Sequence, residues 1–360
     1  MPVLLQGLTS LTDPVDRDIA VDLPGLAGET VRLDARGWLA CPSLYDADTF
    51  LPLDGGGLRD GDVETALRGG VSTLNCSVDW HRFTDPRERG PLLSLAGCSR
   101  LPSVRLLPTA PPDGDNSGFP AWLAGFAGEA ADLPVLKACK LYARAPDFAR
   151  NLEAVWSAGW LAMVFVQDAR MVADLAESGG RICFRHATSV DDVAAMRGSR
   201  QGTRIATSPQ YLLPLPADTR RNLVVRPSPL SDEIRAPFAR DVLSLVDVIA
   251  TDHVAPGATA GPGLRLQQHF LPALLALAER EGLDKAALLD KAGASAAAVF
   301  GAEHRDGVAI LAPRSAGGTA PEIRDPEREP FSAALFTHEV VAIVSGGSAA
   351  ATPAFGKFIR

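Results

Sequence analysis

The run VDVIATDHVAPG, residues 246–257, sets Asp252 and His253 at the end of an apolar stretch and just before a Pro–Gly pair. Such an ending predicts a buried strand meeting a loop, where a parallel α/β barrel carries its catalytic carboxylates. A carboxylate beside an imidazole suits metal ligation or proton transfer. His253 itself, followed by Val254, Ala255, Pro256 and Gly257, reads as a solvated loop histidine. His186 closes the run RICFRH and reads as a hydrogen-bonded core histidine. Arg185 beside it should point away, because successive strand residues alternate in direction. His81 lies in the hydrophilic run DWHRFTDPRERG and reads as a surface residue. His269, His304 and His338 fall in a helix and in the β-like C-terminal stretch, with little claim on chemistry. No GxSxG, phosphate-binding loop or dinucleotide fingerprint occurs; GDVETALRGG reads as a helix ending in glycine.

The elements that must position Asp252 follow a repeating rhythm. Residues 1–40 hold short β-like runs (VLLQ, IAVDL, TVRL) broken by Asp, Pro and Gly, a hairpin pattern. From about residue 42 apolar strands alternate with amphipathic helices. GGVSTLNCSV precedes FPAWLAGFAGEAA, PVLKACKLYA precedes FARNLEAVWSAG, and LAMVFV precedes ARMVADLAESGG. RICFRH precedes SVDDVAAMRGSR, and TRIATS is followed by the loop RNLVVRPSPL. APFARDVLSLV leads to VDVIATDH, and that to the apolar helix LRLQQHFLPALLALAEREG. Continuously apolar strands joined by helices predict a parallel sheet covered on its outer face. Residues 42–301, about 260 in all, are close to the ~250 of a (β/α)8 barrel. After 301 the β-like pattern returns (GVAILAP, AALFT, EVVAIVSGG). The expectation is therefore an α/β protein: a (β/α)8 TIM-type barrel over 42–301, with a small β-sandwich domain made from 1–41 and 302–360.

The bulk properties narrow the partners. The chain has 360 residues, 46% of them hydrophobic, enough to bury a large core. Its net charge of −8 and the lack of any basic stripe argue against nucleic acid and anionic membranes. Cys41, Cys76, Cys98, Cys139 and Cys183 are scattered, odd in number and without CxxC spacing, which fits buried thiols in a reducing cytoplasm. MPVLLQGLTSLTD has no basic n-region, so no signal peptide is expected, and no apolar run reaches the ~20 residues of a membrane span.

The order of segments resembles the amidohydrolase superfamily, most closely dihydroorotases and their cyclic-amidohydrolase relatives. GWLACPSLYDAD is similar to the family strand that carries an HxH pair, and DGDVETALRGGVSTL to the helix and strand after it. KLYA resembles the strand of its lysine, RICFRHATS a later histidine strand, VRPSPL its NPPLR loop, and VDVIATDHVAPG the aspartate strand. SAAAVFG and EPFSAALFTHEVVAIVSGG resemble its closing helix and tail. The resemblance implies two divalent metals, usually zinc, held by the HxH pair, a carboxylated lysine, two further histidines and an aspartate. Transferred to this chain, those positions are Asp48 and Phe50, Lys140, Phe165, His186 and Asp252. Only Lys140, His186 and Asp252 keep the family residue.

A phenyl ring cannot coordinate zinc, and catalytic zinc normally needs three protein ligands on one ion. Without the missing histidines Lys140 should stay an ordinary ammonium, and Phe50 and Phe165 should act as plugs, since cores resist voids. The substrate positions differ too: the family arginine is replaced by Pro52 and its asparagine falls near Asp79, so an anionic dihydroorotate would meet Asp48 and Asp79. Two readings follow. In the first the chain is a non-catalytic dihydroorotase homologue of pyrimidine biosynthesis. It is cytoplasmic, binds no cofactor, pairs Asp252 with Lys140, and supports aspartate carbamoyltransferase or self-associates. In the second it is an active hydrolase of a cyclic amide. Its site is then metal-free or holds one divalent metal, zinc, on Asp252, His186 and Asp48. Restoring histidine at 48, 50 and 165 is expected to leave dihydroorotase turnover absent unless Pro52 and Asp79 are also reverted.

Overall fold

The computed structural model describes residues 2–12, 16–22, 30–53, 57–96, 101–166, 180–198, 202–258, 262–304, 307–314, 325–331, 335–345, 348–352 and 355. Cys98 and most of ARMVADLAESGG lie outside them. The chain opens with β1 (Pro2–Ser10), β2 (Asp16–Asp22), β3 (Val31–Asp34) and β4 (Leu39–Pro42). Next come β5 (Leu44–Phe50), α1 (Asp60–Arg68), β6 (Val71–Asp79), α2 (His81–Thr84), α3 (Pro86–Ala96), β7 (Ser103–Thr109), α4 (Phe119–Glu129) and β8 (Ala138–Tyr142). They are followed by α5 (Phe148–Ser157), β9 (Leu161–Phe165), β10 (Ile182–Arg185), α6 (Val190–Arg197), β11 (Arg204–Thr207), α7 (Ala217–Asn222), α8 (Asp232–Arg240) and α9 (Val242–Leu245). The remainder is β12 (Val248–Ile249), β13 (His253–Val254), α10 (Phe270–Glu281), α11 (Lys285–Asp290), α12 (Ala294–Val299), β14 (Gly307–Pro313), β15 (His338–Ser345) and β16 (Ser348–Ala351).

Nine of these strands form one wholly parallel sheet in the order β12-β11-β10-β9-β8-β7-β6-β5-β13. Its two end strands are separated in the chain only by residues 250–252, so the sheet curls until a single segment, 248–254, touches both β11 and β5. The interior is a small cluster of Tyr45, Ala47, Leu107, Ala138, Met163, Cys183, Ala206 and Ala250, joined by Ala297 and Phe300 beside α12. The intervening strand residues, among them Leu74, Leu106, Leu141, Val164, Phe184 and Ile205, face the larger core shared with the helices. This two-sided burial is why the strands read as continuously apolar. β7 is the strand that pattern reading passed over, because Pro102 and Pro108 made its surroundings look like loop.

Local chemistry sets the helix ends. Ser189 caps α6 by accepting from the Asp192 amide at 3.1 Å, and Asp284 caps α11 by accepting from the Ala286 and Ala287 amides. α1 stops at Gly69, where a Cβ would stand 1.8 Å from the Gln267 carbonyl; only glycine lets the segment before α10 approach so closely.

Both chain ends contribute to a second sheet, β16-β15-β14-β4-β1-β2, with β3 parallel to β1. Its described strands make one seven-stranded sheet rather than the two facing sheets of the expected sandwich. Its own core includes Val3, Leu5, Trp38, Ile310, Val341 and Phe355.

Candidate functional site

The strand C-termini carry a layer of polar side chains one pleat beyond the small apolar interior. Two residues after Ala138 comes Lys140, after Met163 comes Phe165, and after Cys183 comes Arg185, so these three share the inward face; Asp252, beyond the end of β12, reaches them from a left-handed backbone. Asp48 joins them by a different route. It follows Ala47 directly and by alternation should face outward, but a register irregularity between Asp46 and Thr49 brings it inside.

Asp48, Lys140, Arg185 and Asp252 form a buried ionic quartet. Lys140 Nζ donates to Asp48 Oδ2 at 2.6 Å and lies 3.7 Å from Asp252 Oδ1. Arg185 Nη2 lies 3.2 Å from Asp48 Oδ2 and 3.4 Å from Asp252 Oδ1. Ser77 Oγ donates to Asp48 Oδ1 at 2.9 Å. The Phe50 ring lies 4.0 Å from Lys140 Nζ, a cation–π contact that further stabilises the ammonium. Asp48, Lys140 and Arg185 are buried; Asp252 keeps 12% of its side chain exposed. Two carboxylates face two cations, so the layer is charge-balanced. Burial alone would lower the Arg185 pKa, but the Asp48 and Asp252 charges outweigh it and hold the guanidinium above its ordinary range.

His186 Nε2 stands 3.4 Å from Asp252 Oδ2. Burial, reinforced by Arg185 and Lys140, pushes its pKa well below the ordinary histidine range, so the ring is neutral and the contact is no ion pair at neutral pH. Neither ring nitrogen has a hydrogen-bond partner among the described residues. The ring sits edge-on to Phe165 at 4.8 Å and to Tyr211 at 5.9 Å. The expectation of a core position holds, and that of a hydrogen-bonded histidine does not.

Arg185 corrects the expectation that it points away. It shares the inward face with Cys183, and His186, next in the chain, would then turn outward. A left-handed backbone at His186 (φ 67°) breaks the alternation and swings its ring back toward Asp252, itself at φ 54°. Both are non-glycine residues in a region that costs L side chains free energy. His253 is a second correction. It is 2% exposed, in β13, with its amide donating to Thr251 Oγ1 at 3.0 Å, and burial pushes its pKa down to about 3. Pairing with β5 and packing under the 264–267 segment cover it.

Asp46 forms a second buried node, missed from the sequence. Its carboxylate accepts from the Thr251 amide at 3.0 Å, Thr251 Oγ1 at 2.5 Å and Gln267 Nε2 at 2.9 Å. Burial still pushes its pKa up to about 6. Its place two residues before Asp48 was the available signal; Ser77 and Arg185 had only their parity along the strands.

The proposed substrate positions take no part in the quartet's ion pairs. Pro52 is half-buried just past β5 and carries no charge. Asp79, at the end of β6 and 42% exposed, pairs with His81 Nδ1 at 2.8 Å and accepts from its amide at 3.0 Å. Asp48 cannot repel an anion as expected either, since Lys140 and Arg185 neutralise it.

No family model matches the sequence, and no curated protein sequence matches it. Solved structures do. The dihydropyrimidinase of Brevibacillus agri NCHU1002 superposes with TM-score 0.71 at 14% identity, covering 98% of this chain and 95% of that one. A dihydroorotase gives 0.62 at 14%, with 98% and 99% covered. The dihydroorotase of Campylobacter jejuni gives 0.58 at 13%, with 84% and 96% covered. The fold is therefore the TIM-barrel type of these cyclic amidohydrolases; identities this low speak for the fold alone.

The two metals implied by the resemblance do not suit the residues present. Positions 50 and 165 offer phenyl rings, and position 140 offers an ammonium already donating to the carboxylate at 48. Arg185 engages both remaining carboxylates, and His186 is left as one neutral imidazole. Two dications here would adjoin two fixed cations and lack a full set of donors.

Proposed function

We propose that this chain is a non-catalytic relative of dihydroorotase that works by binding another protein in the cytoplasm. Its partner is aspartate carbamoyltransferase or a second copy of itself, and it uses no cofactor. In this reading residues 42–301 are the barrel, and 1–41 with 302–360 a small β domain. The carrying observation is the position of Lys140 and Arg185. Hydrolysis of a cyclic amide needs an activated water, a base to take its proton, and something to polarise the carbonyl. The two carboxylates at the barrel mouth are both engaged by cations, and neutral His186 faces one of them.

A second reading, an active cyclic amidohydrolase with a metal-free or single-metal site, has one observation in its favour. His186 and Asp252 face each other at 3.4 Å on strained backbone, an arrangement often kept at working sites. Two measurements separate the readings. Purified protein, with and without added zinc, is expected to leave dihydroorotate, hydantoin and dihydrouracil unhydrolysed; zinc-independent or zinc-stimulated turnover abolished by Asp252→Asn would establish the second. Co-expressed with aspartate carbamoyltransferase, the chain is expected to co-elute on gel filtration. Separate elution of the two, with this chain monomeric, would sink the binding role.

A further inference from the structure

One side chain accounts for most of the conflict between this barrel mouth and a metal centre. Arg185 Nη2 lies within 3.4 Å of an oxygen of each quartet carboxylate, Asp48 and Asp252. A divalent ion holding both oxygens at about 2.0–2.2 Å would need that same gap. Arg185 is fully buried, and none of Nε, Nη1 and Nη2 has a hydrogen-bond partner among the described residues, so Nη2 meets the carboxylates as an ion pair only. The guanidinium is thus held by the two carboxylates rather than by a hydrogen-bonded scaffold of its own.

We infer that Arg185 is the residue that excludes divalent metal from this site and thereby keeps Lys140 a free ammonium. The reasoning is one of charge. With Arg185 present, two cations already balance two carboxylates; a dication would leave a buried excess of two positive charges. Carbamate formation runs the other way. The ammonium must first lose its proton, and the free amine then attacks carbon dioxide, forming the N–C bond and releasing a second proton. The product is an anion where a cation stood 2.6 Å from Asp48, and without metal it leaves three buried anions facing Arg185 alone. The inference rests on reading the mouth as a former metal site, but zinc uptake is measured independently of turnover and partner binding. Its failure and the failure of the binding role are therefore distinguishable.

The test is equilibrium dialysis of the full chain against zinc and 13C-bicarbonate, reading zinc per chain by elemental analysis and lysine carbamate by 13C NMR. Wild type is expected to hold no zinc that Asp252→Asn releases, and to show no carbamate signal. Arg185→Met is expected to raise zinc affinity about tenfold or more, the scale on which supporting groups move metal affinity. Adding Asp252→Asn should abolish that gain, and Arg185→Lys, which keeps the charge, should bind zinc no better than wild type. Asp252-dependent zinc or a carbamate signal in wild type overturns the inference, as does a folded Arg185→Met that takes up no more zinc. If Arg185→Met does not fold, Arg185→Gln takes its place, and the wild-type readings decide by themselves.

Discussion

Lys140 and Asp48 interact where neither can recruit water, so their value shows in what happens when one is removed. Lys140→Met leaves Asp48 with Arg185 and Ser77 and leaves Asp252 with Arg185 alone, an unbalanced negative charge in a buried layer. The expected loss is about 3–5 kcal/mol, the range for breaking a buried pair, read as a lower urea midpoint. The double variant Lys140→Met/Asp48→Leu removes both charges and should recover most of that loss. A double variant as unstable as the single one would mean that the packing of Lys140, including its contact with Phe50, matters more than its charge. The residue types at 48, 50, 140 and 165 were legible from the chain, and so was the loss of three of the six ligands that the family resemblance implies. Arg185 was not. Reading His186 as the inward residue placed its neighbour outward, and only the left-handed turn at His186 lets both face the mouth.

At the level of elements, the site depends on strands held at fixed depth. The register irregularity in β5 puts Asp48 in reach of Lys140, and the 250–252 interruption puts Asp252 opposite. α1 and the segment before α10 lock that arrangement from outside, through the contact at Gly69. Gly69→Ala should therefore cost about 1–3 kcal/mol, the usual scale of overpacking, without altering the fold seen by circular dichroism. A neutral result would show that the Gln267 backbone moves freely. The alternation of strands and helices was readable because the strands of the parallel sheet are buried on both faces, while helices such as α4 and α5 bury only part of theirs. Neither the irregularity in β5 nor the break between β12 and β13 has a mark in the sequence: both are adjustments to neighbouring strands.

For the whole molecule, buried titrating groups set the acid limit of stability. His186, His253 and His269 are all held below the ordinary histidine pKa, His253 at about 3 and His269 at about 4. Unfolding exposes them near their usual value of about 6.5, so below that pH the unfolded chain binds more protons and stability falls as pH drops. Each contributes a slope of up to about 1.4 kcal/mol per pH unit between its folded and unfolded pKa. Asp46 acts in the opposite sense. Its folded pKa of about 6 exceeds the unfolded one, so between about pH 4 and 6 it stabilises the fold as pH falls. The net expectation is a urea midpoint that declines from pH 6.5 to 4.5, with a shallower decline in His253→Gln and a steeper one in Asp46→Asn. A midpoint flat over that range would mean that these histidines protonate within the fold.

The sequence by itself determined the class of fold, because hydrophobic periodicity, helix caps and the placing of glycine are local requirements that every strand and helix must meet. It also determined that positions 50 and 165 cannot ligate metal, since that depends on residue type alone. Which charges meet at the barrel mouth was decided only in three dimensions. Asp48, Lys140 and Arg185 come from three different strands and Asp252 from the break between β12 and β13, and their pairing depends on a β5 irregularity and two left-handed residues that no local pattern encodes. The burial of His253 has the same origin, since it is covered by chain from 264–267 and by β5, partners that its own neighbours in sequence do not reveal.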